Sequence, residues 1–279
     1  MAAATPPVGM LSVVGTPIGN LDDMAPRAVA ALERADVILC EDTRVTSKLL
    51  ARFGIRTRLE RCDENIIARR IEATLERMGD GERVAFVSDA GMPGVSDPGQ
   101  TLVDAALDAG LPVEVIPGPS AVTCALVASG LGMEHFFFEG FLPRKEGAKV
   151  RRLQELVAVP GALVVYESPH RVAATVAAIA QVMPLRRVAL VRELTKLHEE
   201  VVRGLAPEVA AELAERDEIR GECVIVVEEG ATVAADPQVP LEEAIAAGLA
   251  AGEPKSALAK RLAREYGVAK SDIYSQLIG

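Results

Sequence analysis

The stretch VAFVSDAGMPGVSDPG, residues 84–99, joins an apolar run of strand length to a segment rich in glycine and proline. The loops GTPIGN (residues 15–20) and PGPSA (residues 117–121) follow two other apolar runs in the same way. Simple hairpins do not need so many glycines and prolines. Because loops that follow parallel strands converge at the carboxyl edge of an open sheet, where ligands bind, these three loops are predicted to form one site.

The first half of the chain alternates short β-branched runs with alanine-rich helical stretches, which predicts parallel strands joined by helices. The predicted strands cover residues 11–14, 37–39, 84–88 and 113–116, and the predicted helices cover residues 25–34, 45–53, 101–109 and 121–129. Gly130 is predicted to end the last of these helices. The first domain is therefore expected to close near residue 131.

The second half has a different rhythm, in which some neighbouring strands are expected to be antiparallel. The predicted strands are residues 136–139, 162–166, 188–192, 200–203 and 223–228, with helices at 150–157, 172–181 and 207–216. Residues 230–240 have the composition of a linker, and a small helical module follows. The sequence thus predicts an α/β protein with domains at 1–131 and 132–230 and a linker with a helical module at 231–279.

Composition limits the classes of partner and the compartment. The net charge of −10, from 30 basic and 40 acidic residues, has the wrong sign for non-specific binding of naked nucleic acid, so any RNA contact must be local. The four cysteines lack paired spacing, which favours reduced thiols over disulfides or a zinc site. The chain shows neither a signal peptide at its start nor a membrane-spanning run, so we expect a cytoplasmic protein without a membrane partner.

The ligand of the predicted site is expected to be cationic or zwitterionic. None of the three loops matches the phosphate-binding patterns GxxxxGK[ST] or GxGxxG, and Asp89 and Asp97 would repel a phosphate. The same carboxylates suit an ammonium group or a ribose. For any single loop, the alternative that its glycines and prolines only form turns stays open.

Eight motifs, in order along nearly the whole chain, resemble the ribosomal RNA methyltransferases of the tetrapyrrole methylase superfamily. They are GTPIGNLDD (15–23), ILCEDTR (38–44), FVSDAGMPGVSDPG (86–99), PGPSAV (117–122), EGFLPRK (139–145), YESPHR (166–171), RELTK (192–196) and GECVIVVE (221–228). The resemblance implies two α/β domains with S-adenosylmethionine in the cleft between them, and a homodimer. It also implies 2′-O-methylation of a cytidine in the decoding region of 16S rRNA, within the small ribosomal subunit.

Two features distinguish this chain within the superfamily. Its first loop, which begins Gly15, Thr16, Pro17, departs from the GxGxG-like loop of the wider superfamily, and together with the EDTR motif it is more similar to the RNA enzymes than to the precorrin enzymes. Met92 stands where the family more usually has threonine, which puts a hydroxyl contact at that position in doubt. The resemblance places the following residues around the cofactor: Pro17, Ser88, Asp89, Ala90, Gly91, Pro117, Gly118, Pro119, Ser120, Ala121, Phe141, Leu142, Tyr166 and Arg192.

Methyl transfer to a ribose hydroxyl needs alignment of the reacting atoms and help for a poorly acidic group, but no metal. Asp42, Glu193 and Lys196 are the candidates, as a base or as a charge that stabilises the alkoxide. A loop salt bridge is the competing interpretation of both EDTR and RELTK. His170 and His198 are not assigned as bases, and Ser120 is interpreted as a helix cap rather than a nucleophile.

Basic residues in three segments are candidate RNA contacts, although a solvated basic helix face would have the same composition. The candidates are Arg44, Arg144, Lys145, Lys149, Arg151, Arg152, His170 and Arg171. The C-terminal tail has the apolar spacing of a helix-turn-helix module, and either RNA docking or packing explains it.

Two other functions remain open from the sequence. A methylase for a tetrapyrrole would share the same cofactor cleft and differ only in its acceptor. A nucleic-acid-binding regulator would instead rely on the C-terminal helical module, bind duplex DNA specifically and need no cofactor.

Overall fold

The computed structural model describes residues 9–96, 99–230, 239–266, 268 and 270–278. Two compact units share them. The first unit contains the described residues up to Ala128 together with the segment Arg192–Glu200. The second contains Ser129–Val191 and the described residues from Val201 onward. Most of the predicted linker lies outside the described residues, and the domain bounds 1–131, 132–230 and 231–279 remain predictions.

The first unit is built on a parallel five-stranded sheet, which confirms the prediction from the βα rhythm. Its strands are β1 (Met10–Val14), β2 (Val37–Cys40), β3 (Leu59–Arg61), β4 (Arg83–Val87) and β5 (Val113–Ile116). They lie in the order β3-β2-β4-β1-β5. The loops that leave β4, β1 and β5 therefore lie side by side at one edge of the sheet.

Helices cover both faces of this sheet. They are α1 (Pro26–Arg34), α2 (Thr43–Phe53), α3 (Ile67–Gly79), α4 (Gly99–Asp108) and α5 (Ala121–Ser129). Ile38 and Cys40 point into a core shared with α1 and α2, whereas Val37 and Leu39 point into a second core shared with α3 and α4. Burial on both faces explains why β2 is wholly apolar.

Strand β3 and helix α3 were not identified from the sequence. β3 is only three residues long and lies at the edge of the sheet, where its side chains are half-buried or exposed. The helix does carry a signal, because Ile67, Ile71, Leu75 and Met78 recur at helical spacing and pack into the core. Arginine and glutamate between these positions obscure the pattern.

The second unit contains a mixed sheet, as predicted. Its strands are β6 (Phe136–Phe141), β7 (Ala162–Glu167), β8 (Arg187–Arg192), β9 (Glu200–Leu205) and β10 (Cys223–Val227), in the order β6-β7-β10-β8-β9. β7 pairs parallel with β6 and antiparallel with β10. Helices α6 (Glu146–Leu156), α7 (Val172–Val182) and α8 (Ala206–Ala214) pack on one face around a single apolar core.

Three helices form the C-terminal module, which confirms the predicted helical tail. They are α9 (Leu241–Ala250), α10 (Lys255–Tyr266) and α11 (Lys270–Ile278). The module has its own core, formed by Ile245, Leu258, Ala259, Leu262, Ile273 and Leu277. Within the described ranges, no helix is both long enough and apolar enough to cross a membrane.

We predict that Gly248→Ala destabilises the C-terminal module. A Cβ atom at Gly248 would lie 2.3 Å from Leu258 Cδ1, so overpacking, which typically costs about 1–3 kcal/mol, exceeds the gain of up to about 1 kcal/mol in helix propensity. Hydrogen exchange of the module amides measures the change. Gly147→Ala in α6 is the control, because nothing lies within 4 Å of its added Cβ, and it should stabilise the protein slightly. Slower exchange in Gly248→Ala would contradict the packing argument.

Candidate functional site

The first loop, which leaves β1, is bonded to the loop that leaves β4. Thr16 and Gly91 form an isolated antiparallel bridge, with N···O distances of 2.9 Å from Thr16 N and 3.1 Å from Gly91 N. Gly91 has a φ of 83°, a left-handed conformation that favours glycine. A Cβ atom at Gly91 would also lie 3.3 Å from Ile18 Cγ2, so this position is restricted by both conformation and space.

The first loop also touches the loop that leaves β5, through two glycines. A Cβ atom at Gly15 would lie 2.6 Å from Gly118 N, and one at Gly118 would lie 2.8 Å from Gly15 Cα. Real Cβ atoms do not approach backbone this closely. The side-chain space at Gly118, a predicted cofactor residue, is thus filled by the backbone of Gly15.

Met92 takes part in the same contact. Its Sδ accepts a hydrogen bond from the Gly118 N–H at 3.2 Å and would lie 2.6 Å from a Cβ at Gly15. The thioether therefore tethers the β4 loop to the β5 loop at the position where we doubted a hydroxyl contact. Asp97, the other carboxylate that the sequence suggested, lies outside the described residues.

Three carboxylates converge where β2 and β4 end. The Asp42 N–H donates to Asp89 Oδ1 at 3.1 Å, and the Asp89 N–H donates to Glu41 Oε1 at 3.2 Å. Burial raises the pKa of Asp89, and the negative charge of Asp42 raises it further. We call Glu41, Asp42 and Asp89 the acidic trio; it makes this edge of the sheet attractive to a cation.

Asp42 itself is tied to the start of α2. It is the N-cap residue, with Oδ1 accepting from the Arg44 N–H at 2.8 Å, and the Arg44 guanidinium donates to both carboxylate oxygens. These hydrogen bonds from Arg44 hold the pKa of Asp42 well below its usual range. Asp42 is thus a weaker base than Asp89, and the loop salt bridge that we considered is present.

The RELTK segment lies against the first loop, within the first unit. Thr195 Oγ1 accepts from the Asn20 N–H at 3.1 Å, and a Cβ atom at Gly19 would lie 2.6 Å from Lys196 Cγ. The Lys196 ammonium is 2.8 Å from Glu193 Oε1. Gly19 is therefore a glycine because the Lys196 side chain lies across it.

Two residues of this segment adopt an unusual backbone conformation. Glu193 has a φ of 51° and Thr195 a φ of 64°, in the left-handed region that a β-branched residue rarely occupies. Such strain persists only where surrounding contacts impose it, and it concentrates at functional sites. Here Glu199 accepts from the Thr195 N–H at 2.6 Å, and Arg192 and Glu200 form an ion pair at 2.5 Å that closes the segment. The guanidinium of Arg192, a predicted cofactor contact, thus has a carboxylate partner.

The predicted cofactor residues of the second unit also come together. Phe141 pairs with Tyr166 across β6 and β7, and their ring centroids are 5.8 Å apart in an edge-to-face arrangement. Phe141 is 60% exposed, whereas the neighbouring Leu142 is buried. These three residues form a half-exposed aromatic surface with a buried apolar base.

Sequence reasoning missed a buried carboxylate that organises this part of the second unit. Glu167 accepts from Thr175 Oγ1 and from the Ser168 N–H, both at 2.8 Å, and lies 3.2 Å from Arg171. Arg171 in turn donates to the Leu142 carbonyl at 3.0 Å. A glutamate at the end of an otherwise apolar strand was the signal for this site. Arg171, predicted to bind RNA, holds the FLPRK segment in place.

The predicted RNA-binding residues in and around α6, together with His170, divide into two groups. Lys149 is only 3% exposed and its ammonium lies 2.9 Å from Glu146, while Arg152 is held by both oxygens of Glu139 at 2.6 and 2.8 Å. Arg144, Lys145, Arg151 and His170 are exposed, and the three cations among them form no ion pair with any described residue. Only this second group is available to a phosphate in this conformation.

The described cysteines and possible metal ligands were compared with what thiol or metal chemistry would need. Cys40, Cys62 and Cys223 are buried, and burial raises the pKa of the Cys62 thiol to about 11, so this thiol is protonated at neutral pH. The described residues contain no group of three or more histidine, cysteine or acidic side chains arranged to hold a metal.

Comparison with known families identifies the class. The family model for tetrapyrrole (corrin/porphyrin) methylases matches residues 10–210, which include strands β1 to β9 and the loops described above. The chain belongs to the tetrapyrrole methylase family.

Individual relatives narrow this class. Ribosomal RNA small subunit methyltransferase I of Mesorhizobium japonicum is 41% identical over 269 residues, covering 96% of this chain and 91% of that protein. The protein of the same name from Mycobacterium bovis is 42% identical over 275 residues, covering 97% of this chain and 95% of its own length. The chain is therefore similar along nearly its whole length to ribosomal RNA small subunit methyltransferase I.

A solved structure shares the fold. Uroporphyrin-III C-methyl transferase from Thermus thermophilus, complexed with S-adenyl homocysteine, superposes with a TM-score of 0.55 at 23% identity. The superposition covers 79% of this chain and 97% of that one. At this identity the likeness establishes the architecture, which agrees with the α/β fold predicted from the sequence.

We predict that Asp42→Asn changes stability in a pH-dependent way. Because the folded pKa of Asp42 is lowered, its contribution is present above the ordinary value of 3.8, declines below that value, and is fully lost only as the pH falls through the lowered folded pKa. Asparagine is an equally good N-cap, so the difference isolates the charge pair with Arg44. Urea unfolding should show wild type more stable than the variant at pH 7, with the gap closing towards pH 3. Arg44→Met should remove the same dependence, and a gap independent of pH would contradict the assignment.

Proposed function

We propose that this protein transfers a methyl group from S-adenosylmethionine to the 2′-hydroxyl of a cytidine in the decoding region of 16S rRNA. The observation that carries the proposal is the identity of about 40% over nearly the full length to ribosomal RNA small subunit methyltransferase I. The first loop and the EDTR motif support an RNA acceptor over a tetrapyrrole, because both are similar to the RNA enzymes of the family.

The residues of the first unit suit S-adenosylmethionine. A sulfonium and an ammonium group are both positive, and the acidic trio supplies negative charge at the sheet edge. A phosphate ligand would be repelled there. Gly91 lets the β4 loop approach the first loop closely enough to form the Thr16–Gly91 bridge, which holds the loops of the proposed site together. In the second unit, Phe141, Leu142 and Tyr166 offer an apolar and aromatic surface of the kind that an adenine stacks on.

When bound, S-adenosylmethionine supplies an activated methyl carbon. The protein contributes alignment of the ribose oxygen, which accounts for much of the acceleration in reactions of this type. It also contributes charge: the Lys196 ammonium, held by Glu193, stabilises negative charge that develops on the ribose oxygen. Of Asp42 and Asp89, Asp89 is the better proton acceptor, because burial raises its pKa whereas the hydrogen bonds from Arg44 lower that of Asp42. Asp42, which also caps α2, and Glu193 remain candidates for a catalytic role.

The acceptor is proposed to be the assembled small subunit rather than free rRNA. A net charge of −10 opposes general binding to RNA, so basic residues must act locally. Arg144, Lys145, Arg151 and His170 are exposed and form the proposed contact surface on the second unit. Lys149, Arg152 and Arg171 support this surface through their partners in the protein.

We further propose that the enzyme works in the cytoplasm as a homodimer. The family resemblance implies the dimer, and a ribosomal substrate implies the compartment. Sedimentation equilibrium of the full chain tests the dimer directly; a monomer at micromolar concentration would reject it.

Transfer of labelled methyl groups tests the function. Intact small subunits from cells that lack the gene should become labelled, naked 16S rRNA should be labelled more weakly, and uroporphyrinogen or precorrin acceptors should not be labelled. Mass mapping of the rRNA should then show one methylated ribose. Labelling of a tetrapyrrole but not of subunits would reject the proposal in favour of the other family chemistry. Specific binding of duplex DNA without any transfer would favour a regulator.

We predict that Lys196→Met lowers single-turnover methylation by about a hundredfold or more, because it removes a charge that acts on the developing oxyanion. Gly19→Ala should also lower the rate, because the added Cβ would lie 2.6 Å from Lys196 Cγ and displace the side chain. Lys196→Arg should restore part of the rate, and cofactor affinity should be unchanged in all three variants.

The neighbouring Leu197→Ala is the matched control, since Leu197 is 93% exposed and its loss should leave the rate unchanged. If Lys196→Met reacts within a few-fold of wild type, alignment alone accounts for the chemistry. The charge assignment would then be wrong.

We predict that Gly91→Ala weakens binding of S-adenosylhomocysteine at least tenfold, measured by titration calorimetry. The substitution places a methyl group 3.3 Å from Ile18 Cγ2 and 3.6 Å from the Pro119 carbonyl, which pushes the three loops apart, and it strains a left-handed backbone. Gly110→Ala separates the two effects, because Gly110 has a φ of 68° but nothing within 4 Å of an added Cβ. It should lose similar stability and keep full affinity. Equal affinity in both variants would show that the cofactor does not bind at the β4 loop.

A further inference from the structure

The segment from Thr43 to Leu59 contains no acidic residue and five basic ones. They are Arg44, Lys48, Arg52, Arg56 and Arg58. The whole chain has a net charge of −10, so the positive charge of this segment is opposite in sign to that of the protein. Only Arg44, the first of the five, was suggested as an RNA contact by the sequence motifs.

Helix α2 arranges the first three of these residues in a line. Arg44, Lys48 and Arg52 are spaced by four residues, so their side chains share one face of the helix and lie about 6 Å apart along its axis. The opposite face contributes Leu49 and Leu50 to the core. The side chain of Arg44 is 87% exposed and that of Arg52 is 56% exposed, and Lys48 is exposed as well. We call Arg44, Lys48 and Arg52 the α2 basic stripe.

The partners of the stripe leave it positive. Arg44 pairs with Asp42, and Arg52 lies 3.4 Å from Asp22, whose side chain is 80% exposed. Lys48 forms no ion pair with a residue that the structure describes. Exposed pairs of this kind contribute little and exchange readily for a stronger anion. A phosphate can therefore replace Asp22 at Arg52 and reach Lys48 without loss of a buried contact.

The stripe begins beside the candidate site. Asp42, which caps α2, donates its N–H to Asp89 of the β4 loop. A strand bound along α2 is thus led towards the loops at the carboxyl edge of the sheet.

We propose that the α2 basic stripe binds the phosphate backbone of the ribosomal RNA substrate. This inference rests on the proposed function and adds a second RNA contact, on the first unit. Exposed Arg and Lys side chains along one helix face can each bind a phosphate of the sugar–phosphate backbone of RNA. The residues between them, such as Ser47 and Ala51, are small. Phe53 is half-buried beside Arg52, whose guanidinium lies 5.7 Å from the ring centroid, so it is not an exposed aromatic anchor of the kind that the centre of a protein interface uses.

The test is the salt dependence of binding between the full-length protein and isolated small subunits. Lys48→Glu/Arg52→Glu is compared with Arg34→Glu/Arg69→Glu, which makes the same charge change at exposed positions on α1 and α3. Loss of two phosphate contacts should reduce the slope of log K against log salt by about 1.4. We expect at least a tenfold loss of affinity at low salt in the stripe variant, with unchanged affinity for S-adenosylhomocysteine, and wild-type behaviour in the control.

Equal slopes in the two variants would overturn the inference. A competition experiment gives a second outcome that would overturn it. If the stripe variant loses affinity but excess 16S rRNA fragments do not displace the wild-type protein from subunits, the stripe binds an acidic ribosomal protein and not RNA. A failure of the proposed function would give a different result. The wild-type protein would then bind subunits without methylating them, and the difference in salt slope between the two variants would still show whether the stripe contacts RNA.

Discussion

The contact between the backbones of Gly15 and Gly118 is the constraint on which the first unit's site depends. Neither position has room for a Cβ atom, so the loops that follow β1 and β5 meet directly. Met92 from the β4 loop closes the same contact through its sulfur, and the Thr16–Gly91 bridge adds a second tie. Main-chain contacts and the Met92 sulfur thereby fix the three loops to one another, as a preorganised ligand site requires.

Charge is separated over short distances in this protein. The acidic trio lies at the ends of β2 and β4, whereas the α2 basic stripe begins two residues beyond Asp42. Arg44 belongs to the stripe and also lowers the pKa of Asp42, so it forms the boundary between the two regions. A protein organised in this way can favour a cationic cofactor and an anionic macromolecule together. Its overall negative charge limits binding of RNA elsewhere.

The sequence was informative where burial determines residue type. The parallel sheet followed from apolar runs such as β2, and the glycine-rich loops marked its carboxyl edge. It was less informative where one residue type serves two environments. Lys149 is of a residue type that usually lies on a solvated helix face, yet its side chain is buried and its ammonium pairs with Glu146. The left-handed backbone of Thr195 has no signature in residue type, because contacts from Asn20 and Glu199 impose it. Roles that depend on distant partners could not be predicted.

The segment Arg192–Glu200 leaves the strands of the second unit, contributes to the first and returns. The chain therefore changes unit three times, at residues 128, 191 and 200. During synthesis the first unit lacks a part until residue 200 has left the ribosomal exit tunnel, long after its own sheet is complete. Neither unit corresponds to one continuous fragment, so a single cut in the chain cannot separate them. The Thr195 loop is thus the last part of the first unit to be synthesised.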